Sequence, residues 1–262
     1  MRRDLEAALT GSTVAHVSVT GTRSTRRHAT FDSFTGALTG RRMVGFSRRG
    51  KYLLITLEPA ATLVAHLRMS GQLRLERGPD VPLAPHSHVV MSLTDGRELR
   101  FVDPRTFGEL FVTTPAVPEL AGLGVDALTL TRPELVGLLA GRRARTKALL
   151  LDQRMIAGIG NIYSDEILWT ARVRGTRPGG SLRPVEVGRL HAAVLAVLSA
   201  AVESRGSSLR DRQYVDLGGQ SGTYQERHAV YGREGLPCPR CGRAVERITV
   251  AQRSHFWCRR CQ

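Results

Sequence analysis

The sequence predicts an α+β chain in three parts: an N-terminal β-sandwich over residues 1–114, a helical domain over 115–227 and a small cysteine-held finger over 228–262. Three observations carry that division. Apolar residues alternate with period two as far as about Thr114. Beyond Pro115 and Pro118 the period turns helical. All four cysteines fall between Cys238 and Cys261.

Taken in order, residues 2–10 read as a helix with Leu5, Ala8 and Leu9 on one face and Gly11 closing it, although no capping side chain precedes Arg2. Val14–Val19 then alternates, as do the runs Met43–Leu57 and Leu63–Leu75. Thr94-Asp95-Gly96 reads as a hairpin turn joining His88–Leu93 to Glu98–Val102. Several short strands over about 100 residues argue a sandwich or barrel-like domain. Thr131-Arg-Pro133-Glu134 is a helix start, with a Thr cap and an early proline, leading into Leu135, Leu138 and Leu139. Lys147–Gln153, Asn161–Ala171 and Pro184–Arg205 complete a four-helix domain. The last carries the stripe Val187, Leu190, Val194, Leu195, Leu198 and Val202, with Gly206 after it. Gly206–Leu236 is aperiodic, and loops of that length are usually functional or disordered; Tyr214, Tyr224 and Tyr231 argue against plain disorder.

The cysteines stand as Cys238-Pro-Arg-Cys241 and Cys258-Arg-Arg-Cys261, sixteen residues apart. That spacing matches a tetrahedral all-thiolate zinc site on two knuckles, with a hairpin between them through Ile248, Val250, Phe256 and Trp257. A piece so small cannot bury its own core, so the metal supplies much of its folding free energy. Four thiolates leave no open position, which makes the zinc structural. Paired disulfides are the alternative, disfavoured because the rest of the chain reads as cytosolic.

Net charge is +15, and an excess of cations this large favours a polyanion through phosphate neutralisation and counterion release. The tail is part of it: from Arg227 onward there are eight arginines, two glutamates and neither lysine nor aspartate. A solvated basic face is the plainer reading of the same residues. No apolar run approaches the ~20 residues of a spanning helix, and Met1-Arg2-Arg3-Asp4 opens no signal peptide. A cytoplasmic location with no membrane partner is therefore expected.

Four constellations could carry chemistry. Ala157-Gly-Ile-Gly160-Asn161-Ile162-Tyr163 lets the backbone turn tightly before a helix, whose free amides suit phosphate. Alone it is an ordinary helix–helix turn; Lys147 and Arg142-Arg143-Ala-Arg145 nearby favour phosphate. Arg48-Arg49-Gly50-Lys51-Tyr52 places Lys51 at a strand start, at the mouth of the β-domain or on a solvated edge. His66-Leu67-Arg68-Met69-Ser70-Gly71 and Asp103-Pro104-Arg105-Thr106-Phe107-Gly108 interrupt strands, each with one cation and one bulky apolar residue. Such residues can wedge into a base stack, as an enzyme that extrudes a base requires. Taken singly, Met69 and Phe107 read as core.

Together these stretches resemble the bacterial formamidopyrimidine-DNA glycosylases, the Fpg/MutM branch of the Fpg/Nei family, over essentially the whole chain. Val230-Tyr-Gly-Arg-Glu-Gly235 and Ala251-Gln-Arg253 add to the match. The resemblance implies a helix–two-turns–helix unit in the helical domain and a zinc finger in the tail. It implies base-excision repair of 8-oxoguanine and formamidopyrimidines in duplex DNA, by a monomer, with strand cleavage through β- and δ-elimination. Carried over by motif, Lys51 is similar to the proton donor of β-elimination and Arg253 to the finger arginine at the lesion phosphates. Met69, Arg105 and Phe107 are similar to the residues that fill the void, with Arg105 facing the orphaned cytosine. His86, Arg105 and Arg142 align with DNA contacts, Arg142 standing where the family has lysine. Asn161 and Lys147 would hold the backbone. Gln213–Tyr224 would be the lid over the extruded base, favouring the purine-specific branch over endonuclease VIII.

One departure stands out. Family chains begin Met-Pro-Glu-Leu-Pro-Glu-Val-Glu, and the proline amine there forms the Schiff base while the next glutamate acts as acid. Neither precedes Arg2-Arg3 here. A terminal amine is a usable nucleophile because its pKa lies near ~8. The Met1 amine, about nine helical residues or ~14 Å from that place, is not expected to substitute. The polypeptide as written is thus expected to lack both activities. A start codon assigned too far downstream is one reading, and a shortened protein that binds damage without cutting is the other. An unrelated zinc-ribbon RNA-binding protein is disfavoured by the β-domain loops.

Overall fold

The computed structural model describes residues 1–208 and 214–262. It divides into two compact units, Met1–Ala121 with Arg205–Thr223 and Gly122–Ser204 with Tyr224–Gln262.

The first unit is a sandwich of two four-stranded antiparallel sheets. One orders β1 (Val14–Val19), β6 (Ser87–Leu93), β7 (Glu98–Val102) and β5 (Gln72–Glu76) side by side. The other orders β2 (Arg42–Arg49), β3 (Tyr52–Glu58), β4 (Ala61–His66) and β8 (Glu109–Thr113). Period-two alternation turns Leu53, Ile55 and Leu57 of β3 inward, and they share one core with Val17, Met91, Leu99 and Phe101. Helix α1 (Arg2–Leu9) buries Leu5 and Leu9, and the Met1 ammonium pairs with Asp4 at 2.6 Å in place of a side-chain cap. From the segment after Arg205, Leu217 joins the same core, and its carbonyl accepts the Leu75 amide at 2.9 Å.

Two expectations change in this unit. The run Met43–Leu57 is two strands, because Gly50 at φ +57 turns the chain back and Arg49 pairs with Tyr52. Lys51 therefore sits in the hairpin turn, immediately before the start of β3. A short helix, α2 (Phe31–Gly36), lies where no helix was expected; Thr30 and Ser33 form its capping box and Phe34 is its one buried anchor. Six residues are too few to display a helical period.

The second unit holds four helices: α3 (Arg132–Leu139), α4 (Thr146–Leu151), α5 (Asn161–Ala171) and α6 (Pro184–Glu203). The Thr131/Glu134 capping box starts α3 as its sequence predicts. Two-residue strands β9 (Val125–Asp126) and β10 (Ile156–Ala157) pair in parallel beside them. Helix α6 corrects the membrane reading of the sequence, since by length and apolarity it could cross a bilayer. Here Leu190, Val194 and Leu198 are buried in the helical core, while Arg189 donates to the Ala171 carbonyl and His191 bonds the Leu130 carbonyl. Its stripe is also shifted: Val197 is buried and Val202 is exposed. The tail forms the antiparallel hairpin β11 (Glu246–Val250) and β12 (Arg253–Trp257).

Candidate nucleic-acid interface

In the first unit, the β4–β5 and β7–β8 connections carry the expected wedge residues. Met69 is 57% exposed and Phe107 46% exposed, so neither belongs to the core. The Arg105 guanidinium lies 5.3 Å from the centre of the Phe107 ring. Beneath this apolar tip the two loops are cross-braced by buried carboxylates. Asp103 accepts the Ser70 hydroxyl and the Arg105 amide on one oxygen, and the Gly108 amide on the other at 2.6 Å. A Cβ on Gly108 would lie 2.6 Å from the Phe101 ring, so only glycine fits this turn. Arg68 and Thr106 take left-handed backbone angles, φ +54 and +55, a strain that persists only where surrounding bonds over-determine it.

Glu109 is the second brace. Its buried carboxylate pairs with Arg26, Arg27 and Arg68, each at 3.1 Å. Arg26 also donates to the Phe107 and Gly108 carbonyls at 3.2 and 3.1 Å. The effect of burial is outweighed by the three cations, which hold Glu109 below the ordinary carboxylate range. One anion for three partly exposed guanidiniums leaves this face positive. No local pattern in the sequence announces this cluster, because Arg26 and Arg27 stand 83 and 82 positions from Glu109.

His66, at the base of the Met69 loop, accepts the Arg68 amide on Nδ1 at 3.0 Å and packs edge-on to Tyr52 at 4.4 Å. Burial, then the positive charges of Arg68 and Lys51, bring its pKa down to about 4. Lys51 and His86 are both exposed, His86 at φ +66 with its ring 6.2 Å from that of His88. The expected lid Gln213–Tyr224 begins outside the described residues. From Tyr214 on it is an ordered turn in which Asp216 accepts the Gly218 and Gln220 amides and pairs with Arg205 at 2.6 Å.

In the second unit, Gly160 caps α5 in extended conformation and Asn161 is the first helical residue. The Gly158-Ile-Gly160 turn is fixed by Gln153, which donates to the Ile159 carbonyl at 3.0 Å and accepts the Gly158 amide at 2.9 Å. The Asn161 Oδ1 is buried with no hydrogen-bond partner among the described residues. Arg142 is exposed. Arg253 is exposed too, just past a turn in which Ala251 and Gln252 are both left-handed.

Lys147 departs from expectation. Its ammonium is fully buried, 2.6 Å from Asp165 and 2.6 Å from the Ser254 carbonyl. Burial lowers its pKa and Asp165 opposes that. A buried, paired ammonium cannot reach a phosphate, so Lys147 holds the framework and does not clamp a DNA backbone. Asp165 also accepts His255 Nδ1 at 2.6 Å and the Phe256 amide at 3.0 Å, tying the start of α4 and α5 to β12. Gly175 is required for this: a Cβ there would sit 2.8 Å from the His255 ring. The neighbouring Glu166 accepts three backbone amides, from Ala229, Val230 and Tyr231. The Arg253 turn is thereby fixed in register with α5.

The four cysteine sulfurs lie within 4.8 Å of one another and form no disulfide. Cys238 and Cys261 are 3.9 Å apart, Cys241 and Cys258 3.4 Å. A zinc tetrathiolate with bonds of ~2.3 Å has edges of about 3.8 Å, so the donor set fits one structural zinc. Each knuckle repeats the same turn, with the Cys241 and Gly242 amides on the Cys238 carbonyl and the Cys261 and Gln262 amides on that of Cys258.

A sandwich with a braced wedge, a glycine-turned helix start and a tetrathiolate hairpin define a three-part zinc-finger protein. Residues 1–110 match the formamidopyrimidine-DNA glycosylase N-terminal domain, 123–213 its H2TH domain and 235–262 the zinc finger found in FPG and IleRS. The chain is 48% identical to the formamidopyrimidine-DNA glycosylase of Moorella thermoacetica, covering 83% of this chain and 80% of that one. With that of Desulforamulus reducens it shares 42% identity over 99% of this chain and 95% of the relative. Among solved structures, MutM (Fpg) from Thermus thermophilus superposes with a TM-score of 0.88 at 42% identity, covering 100% of this chain and 95% of that one. Lactococcus lactis Fpg in complex with abasic-site DNA gives 0.92 at 31%, covering 100% and 96%. The chain belongs to the formamidopyrimidine-DNA glycosylase family.

Proposed function

We propose that this protein is a base-excision repair glycosylase and abasic-site lyase that removes oxidised purines, 8-oxoguanine and formamidopyrimidines, from duplex DNA. The observation that carries the reading is the exposed trio Met69, Arg105 and Phe107 on loops locked from beneath by Asp103 and Glu109. Two apolar side chains held in water by a rigid base suit insertion into a base stack, where their surface is covered. Arg105 beside them has the donor fork to read the base left unpaired, the cytosine opposite the lesion. The solved complexes of Lactococcus lactis Fpg with abasic-site and Fapy-dG DNA support the same substrate class.

In this reading the exposed Lys51 ammonium donates a proton in β-elimination, and Arg253 binds the lesion phosphates and assists δ-elimination. His86 and Arg142 neutralise phosphates. Asn161, at the start of α5, offers its side chain and the first-turn amides to the backbone. The segment ending at Tyr224 closes over the extruded base. Zinc supplies no chemistry; it holds the hairpin that bears Arg253. The protein acts as a monomer in the bacterial cytosol, where its substrate lies.

The test is binding and incision of a duplex with one 8-oxoguanine opposite cytosine, against the undamaged duplex, with borohydride trapping of any Schiff base. Lesion-selective binding is expected of the polypeptide as written, and incision with a trapped adduct of a form in which the family's Pro-Glu-Leu-Pro-Glu-Val-Glu start precedes Arg2. Selective binding with neither adduct nor incision in that restored form would mark a damage-binding homologue, and equal binding of both duplexes would overturn the reading. Arg105→Ala should lower discrimination of the opposite base by about 1–3 kcal/mol.

A further inference from the structure

The zinc knuckles have a partner outside the finger. Trp169, in the last turn of α5, donates its indole N–H to Cys238 Sγ at 3.4 Å. The indole is itself clamped: the Arg240 guanidinium lies 3.9 Å over the ring and donates to the Trp169 carbonyl at 3.0 Å. A second tie joins the other knuckle to the chain just after α5, where Gln262 donates to the Val173 carbonyl at 3.3 Å and accepts the Cys258 amide at 2.9 Å. Beside these bonds opens a cleft of about 450 Å³ lined by Arg172, Arg240, Arg260, Cys241 and Cys261. Arg172 and Arg260 are exposed, and the two cysteines at the cleft are the half-buried ones of the four.

Three converging arginines would ordinarily point to a bound phosphate. Here the charge has a nearer use. Four thiolates on one zinc ion carry two net negative charges, and the more exposed pair of sulfurs lines the cleft. Donors aimed at a metal-bound sulfur, and the charge around it, tune ligand basicity and metal affinity from outside the coordination shell.

We propose that Trp169, clamped by Arg240, is an outer-shell hydrogen-bond partner of zinc-bound Cys238, and that Arg172, Arg240 and Arg260 supply the counter-charge to the exposed thiolates. The C-terminal end of α5 then sets how slowly the finger releases its zinc. Helix α5 serves the finger from its middle as well as its end, since its Asp165 and Glu166 also hold β12 and residues 229–231.

The test is zinc transfer from the loaded full-length protein to a chromophoric chelator. Trp169→Phe keeps the ring and removes the donor; transfer is expected to quicken about 10- to 100-fold, the range for lost outer-shell partners. In the cobalt-substituted protein the same variant should shift the sulfur-to-metal charge-transfer band, which a purely packing role would leave alone. A rate within twofold of the parent with an unshifted band overturns the proposal. If Trp169→Phe does not fold, Arg172→Gln with Arg260→Gln decides through the ratio of alkylation rates by anionic iodoacetate and neutral iodoacetamide. Counter-charge predicts that this ratio falls at least threefold, and an unchanged ratio overturns it.

Discussion

Glu109 and Asp165 are both buried carboxylates that bind basic side chains from distant parts of their own unit, yet they do opposite work. Glu109 meets three arginines whose side chains are 37–43% exposed, so most of the positive charge stays at the surface. Asp165 meets Lys147, which has no exposure at all, and His255, equally buried. Its pair is neutral toward solvent and serves only to join helices to the finger. The same ion-pair chemistry thus leaves a solvent-facing charge in one unit and consumes it in the other. What separates them is whether the cation keeps a wet side.

The comparison can be broken most strongly through the metal. Chelation should melt the hairpin that carries His255 and Phe256 and leave the Glu109 brace intact, because about 10 kcal/mol or more of a finger's folding rests on zinc. Calorimetry should then show the transition of the first unit unmoved; loss of both transitions together would contradict the independence of the two braces.

Next in size is Asp165→Ala. It strands a buried ammonium and should cost about 3–5 kcal/mol in urea unfolding, with part recovered when Lys147→Met removes the orphaned charge as well. Failure of the second change to recover anything would mean that Asp165 acts mainly through the Phe256 amide.

Acid should affect each unit through a buried histidine, His66 in the first and His228 in the second. His66 and His228 are depressed by burial to about 4, so both fold as neutral rings and the unfolded chain binds the extra protons. Their contribution is complete above the unfolded value near 6.5 and is lost as pH falls from there toward 4. Each can amount to at most about 3 kcal/mol. His66→Gln should lessen the pH dependence of the first unit and leave that of the second unchanged, while His28, also lowered by burial, keeps part of it.

The smallest effect expected is Glu109→Gln, about 1–2 kcal/mol, because water can take over at partly exposed arginines. Its larger consequence is for the loops: lesion selectivity should fall more than stability, as Met69 and Phe107 lose their common base. Equal loss of affinity for damaged and undamaged duplex would show that Glu109 braces charge and not the wedge.

Much of this was legible in the chain. Alternation gave the sandwich, the Thr131/Glu134 box gave α3, Asn161–Ala171 was bounded as found, and the cysteine spacing gave the zinc site, since each is a local or strictly periodic signal. Short elements such as α2 were not legible, because one turn of helix carries too few residues to show a period. Nor was the turn at Gly50, where an alternating run conceals a reversal.

By itself, then, the sequence determined the family, the fold class and the four-cysteine metal site. Only tertiary structure decided which charges face solvent. Lys147 looks like a DNA-binding lysine until Asp165, eighteen positions on, and Ser254, over a hundred on, close around it. Met69 and Phe107 look like core residues until Asp103 and Glu109 hold their loops outward. The physical reason is common to both: the cost of burying a charge or exposing an apolar group depends on partners that the fold brings from far along the chain, and no local pattern encodes them.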